Sequence, residues 1–165
     1  MWGTTGMAVA VALAALGSPV PEISPLEGPC AASALIGSIG GLDPGAGQRQ
    51  ATLRVRNVSS GACTLDGFGT LHLVAADGSR NPTVDVHVGD PGPTLVRLAP
   101  GATAGKRLRW SVMPGPGEPV DGPCGPPSAA LRVTLPGGAG QEVVPFAFGS
   151  VCSGGRIETS AYFPV

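Results

Sequence analysis

The two histidines, His72 and His87, are the only side chains of this sequence whose ordinary pKa lies near neutrality. A Ser-His-Asp hydrolase needs such a base beside an activated serine and an orienting acid. Each histidine alternates with apolar residues, which predicts a solvent-facing position on a strand. The sequence also contains no Gly-x-Ser-x-Gly motif, the usual signature of a nucleophile elbow. These residues therefore do not favour hydrolysis.

Metal binding and paired carboxylates are the other chemistries to consider. His72, His87 and Met113 are conceivable copper or zinc ligands, but they are far apart in the sequence. The cysteines lack the Cys-x-x-Cys spacing that is typical of zinc sites. Glu118 and Asp121 lie in a loop where precise geometry is hard to hold. We expect no catalytic residue, no metal site and no cofactor.

The four cysteines are Cys30, Cys63, Cys124 and Cys152. An even number in a small exported domain predicts disulfides, and four cysteines allow three pairings. Two pairs of predicted strands, one at 34–42 and 51–58 and one at 129–135 and 142–148, would form antiparallel hairpins. A cysteine flanks each hairpin on either side, so we predict Cys30–Cys63 and Cys124–Cys152.

An apolar segment at residues 7–16 precedes the small residues Gly17 and Ser18. Its ten residues are too few to span a bilayer, which needs about 20. We predict a secretory signal at 1–18, a Pro-containing leader at 19–29 and one domain at 30–165. The usual basic start is missing, and an uncleaved N-terminal anchor remains an alternative. No lipobox precedes the first cysteine, so we do not expect a lipid anchor.

Composition places the chain among single-domain proteins with a buried core. Of 165 residues, 27 are glycine and 18 are proline, which favours many turns. Hydrophobic residues make up 42%, charged residues 13%, and the net charge is −1. A chain this apolar is expected to fold. The near-zero charge argues against a nucleic-acid-binding surface.

Short runs of alternating apolar and polar residues, separated by turn residues, predict eight or nine strands. The runs lie at residues 34–42, 51–58, 69–75, 84–88, 94–98, 105–112, 129–135, 142–148 and 156–162. This pattern favours an all-β antiparallel sandwich, with a barrel as the alternative. The aromatic residues Trp110, Phe68, Phe146 and Phe148 are predicted core residues. Residues 114–127 contain ten Gly or Pro in fourteen positions, which predicts a long exposed loop whose residues 114–123 are the most mobile.

Four basic residues fall within 13 positions: Arg97, Lys106, Arg107 and Arg109. If strands 94–98 and 105–112 form a hairpin around Pro100-Gly101, these residues share one region of a sheet. They are a candidate patch for an anionic envelope polymer or an acidic partner. A solvated outer face with edge-protecting charge is the favoured interpretation.

Several short motifs occur in an order that is similar to one family. They are Leu53-Arg-Val-Arg-Asn57, Cys63-Thr-Leu-Asp-Gly-Phe-Gly69, Leu71-His-Leu73, Asp77-Gly78, Leu98-Ala-Pro-Gly101, Leu108-Arg-Trp110, Cys124, Leu131–Pro136 and Val151-Cys152. Together they resemble the domain of unknown function numbered 4232, which is found in actinobacterial secreted proteins and lipoproteins. The resemblance covers about residues 28–165. It implies an extracytoplasmic, immunoglobulin-like sandwich and supplies no catalytic residues.

These observations favour a secreted, non-catalytic module with a binding or structural role at the cell envelope. The expected partner is an envelope polymer or protein, with no nucleic acid and no stable transmembrane span. The alternative is a small secreted hydrolase or metal-binding protein that uses His72 and His87.

Overall fold

The computed structural model describes residue 3, residues 27–138 and residues 140–165. Nearly all of the predicted signal at 1–18 and most of the leader at 19–29 lie outside these residues. Within the described part of the chain, none of the helices has the length and apolar character needed to cross a membrane.

Eleven strands account for most of the regular structure in the described residues. They are β1 (Leu35–Pro44), β2 (Gln48–Asn57), β3 (Cys63–Asp66), β4 (Thr70–Val74), β5 (Val84–His87), β6 (Leu95–Leu98), β7 (Thr103–Ser111), β8 (Pro127–Thr134), β9 (Gln141–Ser150), β10 (Arg156–Thr159) and β11 (Phe163–Pro164). Short helical turns occur at Ala32–Ala34, Pro136–Gly138 and Cys152–Gly155.

The strands form three sheets in a sandwich-like arrangement, which confirms the predicted β fold. The large sheet has the order β1-β2-β7-β10-β5, with β11 also paired to β7. A second sheet has the order β4-β8-β9, and β3 pairs with β6 in a third. The antiparallel hairpins β1-β2 and β8-β9 are both as predicted.

Two details of strand pairing were not apparent from the sequence. The pairing of β10 with β5 is parallel, so the sandwich is not wholly antiparallel. The strands at 94–98 and 105–112 do not form a hairpin, because β6 pairs with β3 whereas β7 pairs with β2 and β10. The chain changes sheets at the Pro100-Gly101 turn. Asn57 holds this turn by accepting from Gly101 N at 2.8 Å and donating from Nδ2 to Leu98 O at 3.0 Å.

The larger core cluster combines buried residues of the large sheet with those of β4, β8 and β9. Its buried members are Ala51, Leu53, Leu71, Leu73, Leu108, Trp110, Leu131, Val133, Val144, Phe146, Val151 and Ile157. Trp110 is only 1% exposed, and its ring lies 5.3 Å from Phe146 and 5.6 Å from Phe148. These three aromatic residues therefore pack in the core, as predicted. Phe68 is only half-buried, and its ring stacks on His87 at 4.3 Å.

A smaller core cluster joins β3 and β6 to the large sheet. It contains Cys30, Leu35, Val55, Cys63, Leu65, Val96, Leu98, Ala104, Leu135 and Tyr162. The predicted disulfides are both present. Cys30 and Cys63 have Cα atoms 4.8 Å apart, and Cys124 and Cys152 have Cα atoms 5.4 Å apart. Each bridge closes a chain segment that contains one hairpin, which is the geometry that the sequence predicted.

Candidate functional site

The two histidines lie in different sheets. His72 is on β4 opposite Arg132. Burial, together with the charges of Arg80 and Arg132, holds the pKa of His72 below its ordinary value. His87 is exposed on β5, where its Nε2 lies 3.5 Å from Asp85 Oδ2. The structure therefore does not bring the two side chains into one catalytic or metal-binding arrangement.

The carboxylate of Asp85 joins three strands. Its Oδ1 accepts from Thr159 Oγ1 at 2.9 Å, and its Oδ2 accepts from Leu71 N at 3.0 Å. These contacts link β5 to β10 and β4. Among the hydrogen bonds of the described residues, none joins His87 to a serine or threonine hydroxyl. Asp85 therefore contacts a histidine, but its hydrogen bonds serve the packing of strands.

Met113 follows β7 and is 60% exposed. The described residues contain one group of three histidine, cysteine or carboxylate ligand atoms within 4.8 Å of one another: Glu118, Cys124 and Cys152. Because the two sulfurs form a disulfide, they are not available as thiolate ligands. Neither histidine belongs to this group.

Glu118 anchors the long loop at residues 114–127, whose high Gly and Pro content had predicted no such anchor. Its carboxylate accepts backbone N–H groups from Gly115 at 2.6 Å, Gly154 at 2.6 Å and Ser153 at 2.9 Å. These bonds, with Gly115 the largest contributor, hold the pKa of Glu118 below its ordinary value. The nearby Cys124–Cys152 bridge ties the loop a second time. That residues 114–123 are the most mobile part of the domain remains a prediction.

The basic patch predicted from the sequence is divided by the fold. Lys106 is fully buried. Its Nζ donates to Phe68 O at 2.7 Å and Ser160 O at 2.8 Å, and lies 5.5 Å from the ring centre of Tyr162. Burial lowers the pKa of Lys106 to about 8, against a smaller opposing effect of Asp85. Lys106 is therefore an interior cation and not part of a surface patch.

Arg97 is also separate from the rest of the predicted patch. It lies on β6, in the two-stranded sheet, where its Nε donates to both carboxylate oxygens of Glu27 at 2.7 and 2.9 Å. This hydrogen-bonded ion pair raises the pKa of Arg97. Only Arg107 and Arg109 of the four predicted residues share one surface.

The outer side of the large sheet carries a different set of basic residues. We call this set the arginine face: Arg54 and Arg56 on β2, Arg107 and Arg109 on β7, and Arg156 on β10. All five side chains are exposed, and they alternate with buried residues on the inner side of the same strands. They are half of the ten Lys and Arg in the sequence.

Two carboxylates form ion pairs with residues of the arginine face. Glu158, on β10, pairs with Arg109 in the sheet register, and its oxygens lie 3.7 Å from Arg109 and 3.2 Å from Arg156. Arg107 lies 3.6 Å from the carboxylate of Asp90, whose side chain is almost fully exposed. The arginine face therefore keeps a positive excess at neutral pH.

Two shallow cavities flank the centre of the arginine face. One, of about 270 Å³, is lined by Gln50, Arg107, Arg109 and Glu158 among others. The other, of about 220 Å³, shares Arg109 and Glu158 with it and adds Arg156. The surface thus combines guanidinium donors, the carboxylates of Asp90 and Glu158, and neutral hydrogen-bonding side chains.

Sequence reasoning missed Arg54, Arg56 and Arg156 as members of this surface. Alternation with Leu53 and Val55 already indicated that the first two face solvent. The missing information was the strand order, because β2, β7 and β10 are distant in sequence and adjacent in the sheet.

Comparison with known proteins gives the family of the chain. A search of curated proteins and a search of solved structures each found no match. Residues 30–162 match the family described as Domain of unknown function (DUF4232), which is about four fifths of the sequence and includes all four cysteines. The protein therefore belongs to the DUF4232 family.

Proposed function

We propose that this protein is a non-catalytic, extracytoplasmic binding module that contacts an anionic partner at the cell envelope through its arginine face. The observation that carries the proposal is the placement of five exposed arginines on one side of three adjacent strands. Such a concentration of like charge attracts an oppositely charged partner and suppresses association with other cationic surfaces.

The export component of the proposal is supported by the two disulfides and by the apolar segment at residues 7–16. Disulfides persist outside the cytoplasm, where thiol-reducing systems do not act. A sandwich with two such bridges is a rigid support for a surface that binds by its side chains.

The proposal is tested by retention of the purified, oxidised full chain on isolated cell envelope. The retained fraction of the variant with Arg107→Gln and Arg109→Gln should be much smaller than that of the natural chain. Retention of the natural chain should also fall as the salt concentration is raised. A matched control replaces two arginines elsewhere, with Arg97→Gln and Arg132→Gln. Equal retention of all three proteins would refute the role of the arginine face.

A further inference from the structure

We infer that the partner of the arginine face is a carboxylate-bearing polysaccharide and that Glu158 competes with it for Arg109 and Arg156. This inference rests on the proposed function and specifies its ligand. The first support is the chemistry already present at the surface. The ion-pair partners of Arg107, Arg109 and Arg156 are the carboxylates of Asp90 and Glu158. Carboxylates therefore fit between these side chains.

The spacing of the arginines favours a polymer over a single small anion. Arg107 and Arg109 are two residues apart on β7, which corresponds to about 7 Å along the strand. The strands β2, β7 and β10 are hydrogen-bonded neighbours, and Arg54 and Arg156 lie diagonally across the sheet from arginines of β7, at about 7–8 Å between Cα atoms. Charges that repeat over this area match a ligand whose carboxylates also repeat.

The backbone of these strands is not available for strand addition. β7 lies inside the large sheet, with β2 on one side and β10 and β11 on the other. An extended acidic peptide therefore cannot join the sheet at this place, and recognition must use side chains alone.

The neutral side chains on the arginine face suit sugar hydroxyls. Gln48 lines one cavity, and Gln50 lines the other. A side-chain amide or hydroxyl both donates and accepts hydrogen bonds, as a hydroxyl-rich ligand requires. Arginine alone would supply only donors. A polysaccharide with carboxylate groups uses both kinds of side chain, so we favour it over an acidic peptide.

The position of Glu158 provides a specific test of the inferred competition. Its carboxylate lies between two arginines, where a ligand carboxylate would have to displace it. Replacing Glu158 with glutamine keeps the size of the side chain and removes the competing charge. The variant should therefore bind the ligand more tightly, beyond the general effect of one added positive charge.

The experiment is calorimetric titration of the oxidised full chain with three probes: an oligogalacturonate, poly-L-glutamate of equal charge and neutral dextran. We expect the oligogalacturonate to bind most tightly and dextran not to bind. Loss of two exposed charged contacts in the R107Q/R109Q protein should weaken binding about tenfold. R132Q, on β8, should change it less than about twofold.

Two further variants isolate the role of Glu158. E158Q should tighten oligogalacturonate binding about threefold, whereas D66N, which adds the same charge on β3, should have a smaller effect. Equal effects of E158Q and D66N would overturn the competition. Equal or tighter binding of poly-L-glutamate would overturn the polysaccharide in favour of an acidic peptide.

Different results would refute the inferred ligand and the proposed function. If R107Q/R109Q abolishes envelope retention but the oligogalacturonate does not bind, the inferred ligand is wrong and the proposed function stands. If envelope retention is unchanged in R107Q/R109Q, the proposed function itself is wrong.

Discussion

The two faces of β7 carry basic residues in opposite environments. Lys106 lies on the inner face in line with Leu108 and Trp110, and all three are buried. Arg107 and Arg109 lie on the outer face and are exposed. One alternating run of residues thus divides its positive charges between the interior and a candidate binding surface.

The ammonium group of Lys106 is stabilised by backbone carbonyl dipoles and aromatic rings, and not by direct contact with a carboxylate. Lys106 donates to two backbone carbonyl groups and lies 5.6 Å from the ring centre of Phe68 and 5.5 Å from that of Tyr162. Burial still disfavours the charged form, as its lowered pKa indicates. On the outer face, water screens the exposed charges, so they contribute little to stability and remain accessible to a partner.

The comparison predicts that inner-face substitutions destabilise the domain far more than outer-face ones. Trp110→Ala should have the largest effect, because it removes a buried aromatic side chain that contacts Phe146 and Phe148. The free energy of unfolding should fall by about 3–5 kcal/mol. Urea unfolding followed by circular dichroism measures the change, with Arg109→Ala as the control. Similar losses in the two variants would contradict the assigned faces.

Lys106→Ala should be the second most damaging change. It leaves the carbonyl groups of Phe68 and Ser160 without their donor and creates a cavity, at an expected cost of about 3 kcal/mol. Lys106→Met restores most of the volume and should recover part of that loss in the same unfolding assay. A cost below about 0.5 kcal/mol for the alanine variant, typical of a surface site, would show that Lys106 is not an interior residue.

Lys106 and Tyr162 should give the stability an alkaline maximum. The folded-state pKa of Lys106 is about 8, below the unfolded value of 10.5, so the unfolded chain binds more protons between these values and stability rises with pH. Burial, with smaller effects of Glu142 and Asp85, raises the pKa of Tyr162, so stability falls once the unfolded tyrosine ionises above its ordinary value of 10.

We expect the free energy of unfolding to increase by about 2 kcal/mol from pH 8 to 10 and then decrease. Denaturant titrations at closely spaced pH values measure both slopes. Lys106→Met should abolish the rise, and Tyr162→Phe should reduce the later fall. A natural chain whose stability is flat from pH 8 to 10 would rule out the assigned lysine environment.

The smallest effect on stability is expected for the R107Q/R109Q protein. These side chains make ion pairs at 3.6 and 3.7 Å in exposed positions, and each substitution should change the free energy of unfolding by less than about 0.5 kcal/mol. Thermal unfolding should therefore be nearly unchanged in the same protein that we expect to lose envelope retention. A large drop in melting temperature would mean that these arginines support the fold.

The alternation of apolar and polar residues predicted most strands and two hairpins, because each of these elements is determined by a short segment of the sequence. The alternation of Leu53 and Val55 with polar residues identifies β2, and the cysteines that flank two hairpins give the correct bridges. The pairing of strands that are distant in the sequence could not be predicted in this way. The strand β3 was not predicted, although β5 and β6 are equally short and were, and its pairing with β6 depends on packing against the large sheet.

The residues of the candidate surface also could not be fully predicted from local patterns. Alternation placed Lys106 beside Leu108 and Trp110, but the assumption that a lysine faces solvent led to the wrong patch. The carbonyl groups that accept hydrogen bonds from its Nζ belong to Phe68 and Ser160, 38 and 54 positions away in the sequence. Only the assembled sheet also brings Arg156 beside Arg109 through their shared partner, Glu158.

The position of β10 has a consequence for how the domain assembles. β10 is among the last strands along the chain, yet it lies between β7 and β5, and β5 has no other partner strand in the described residues. Ile157 from this strand also completes the larger core cluster. For a chain that emerges N-terminus first, the sheet closes only after nearly all of the domain has been delivered. Such late closure, with its pairing across some 70 residues, makes folding slow and keeps the sheet open until most of the chain has been synthesised.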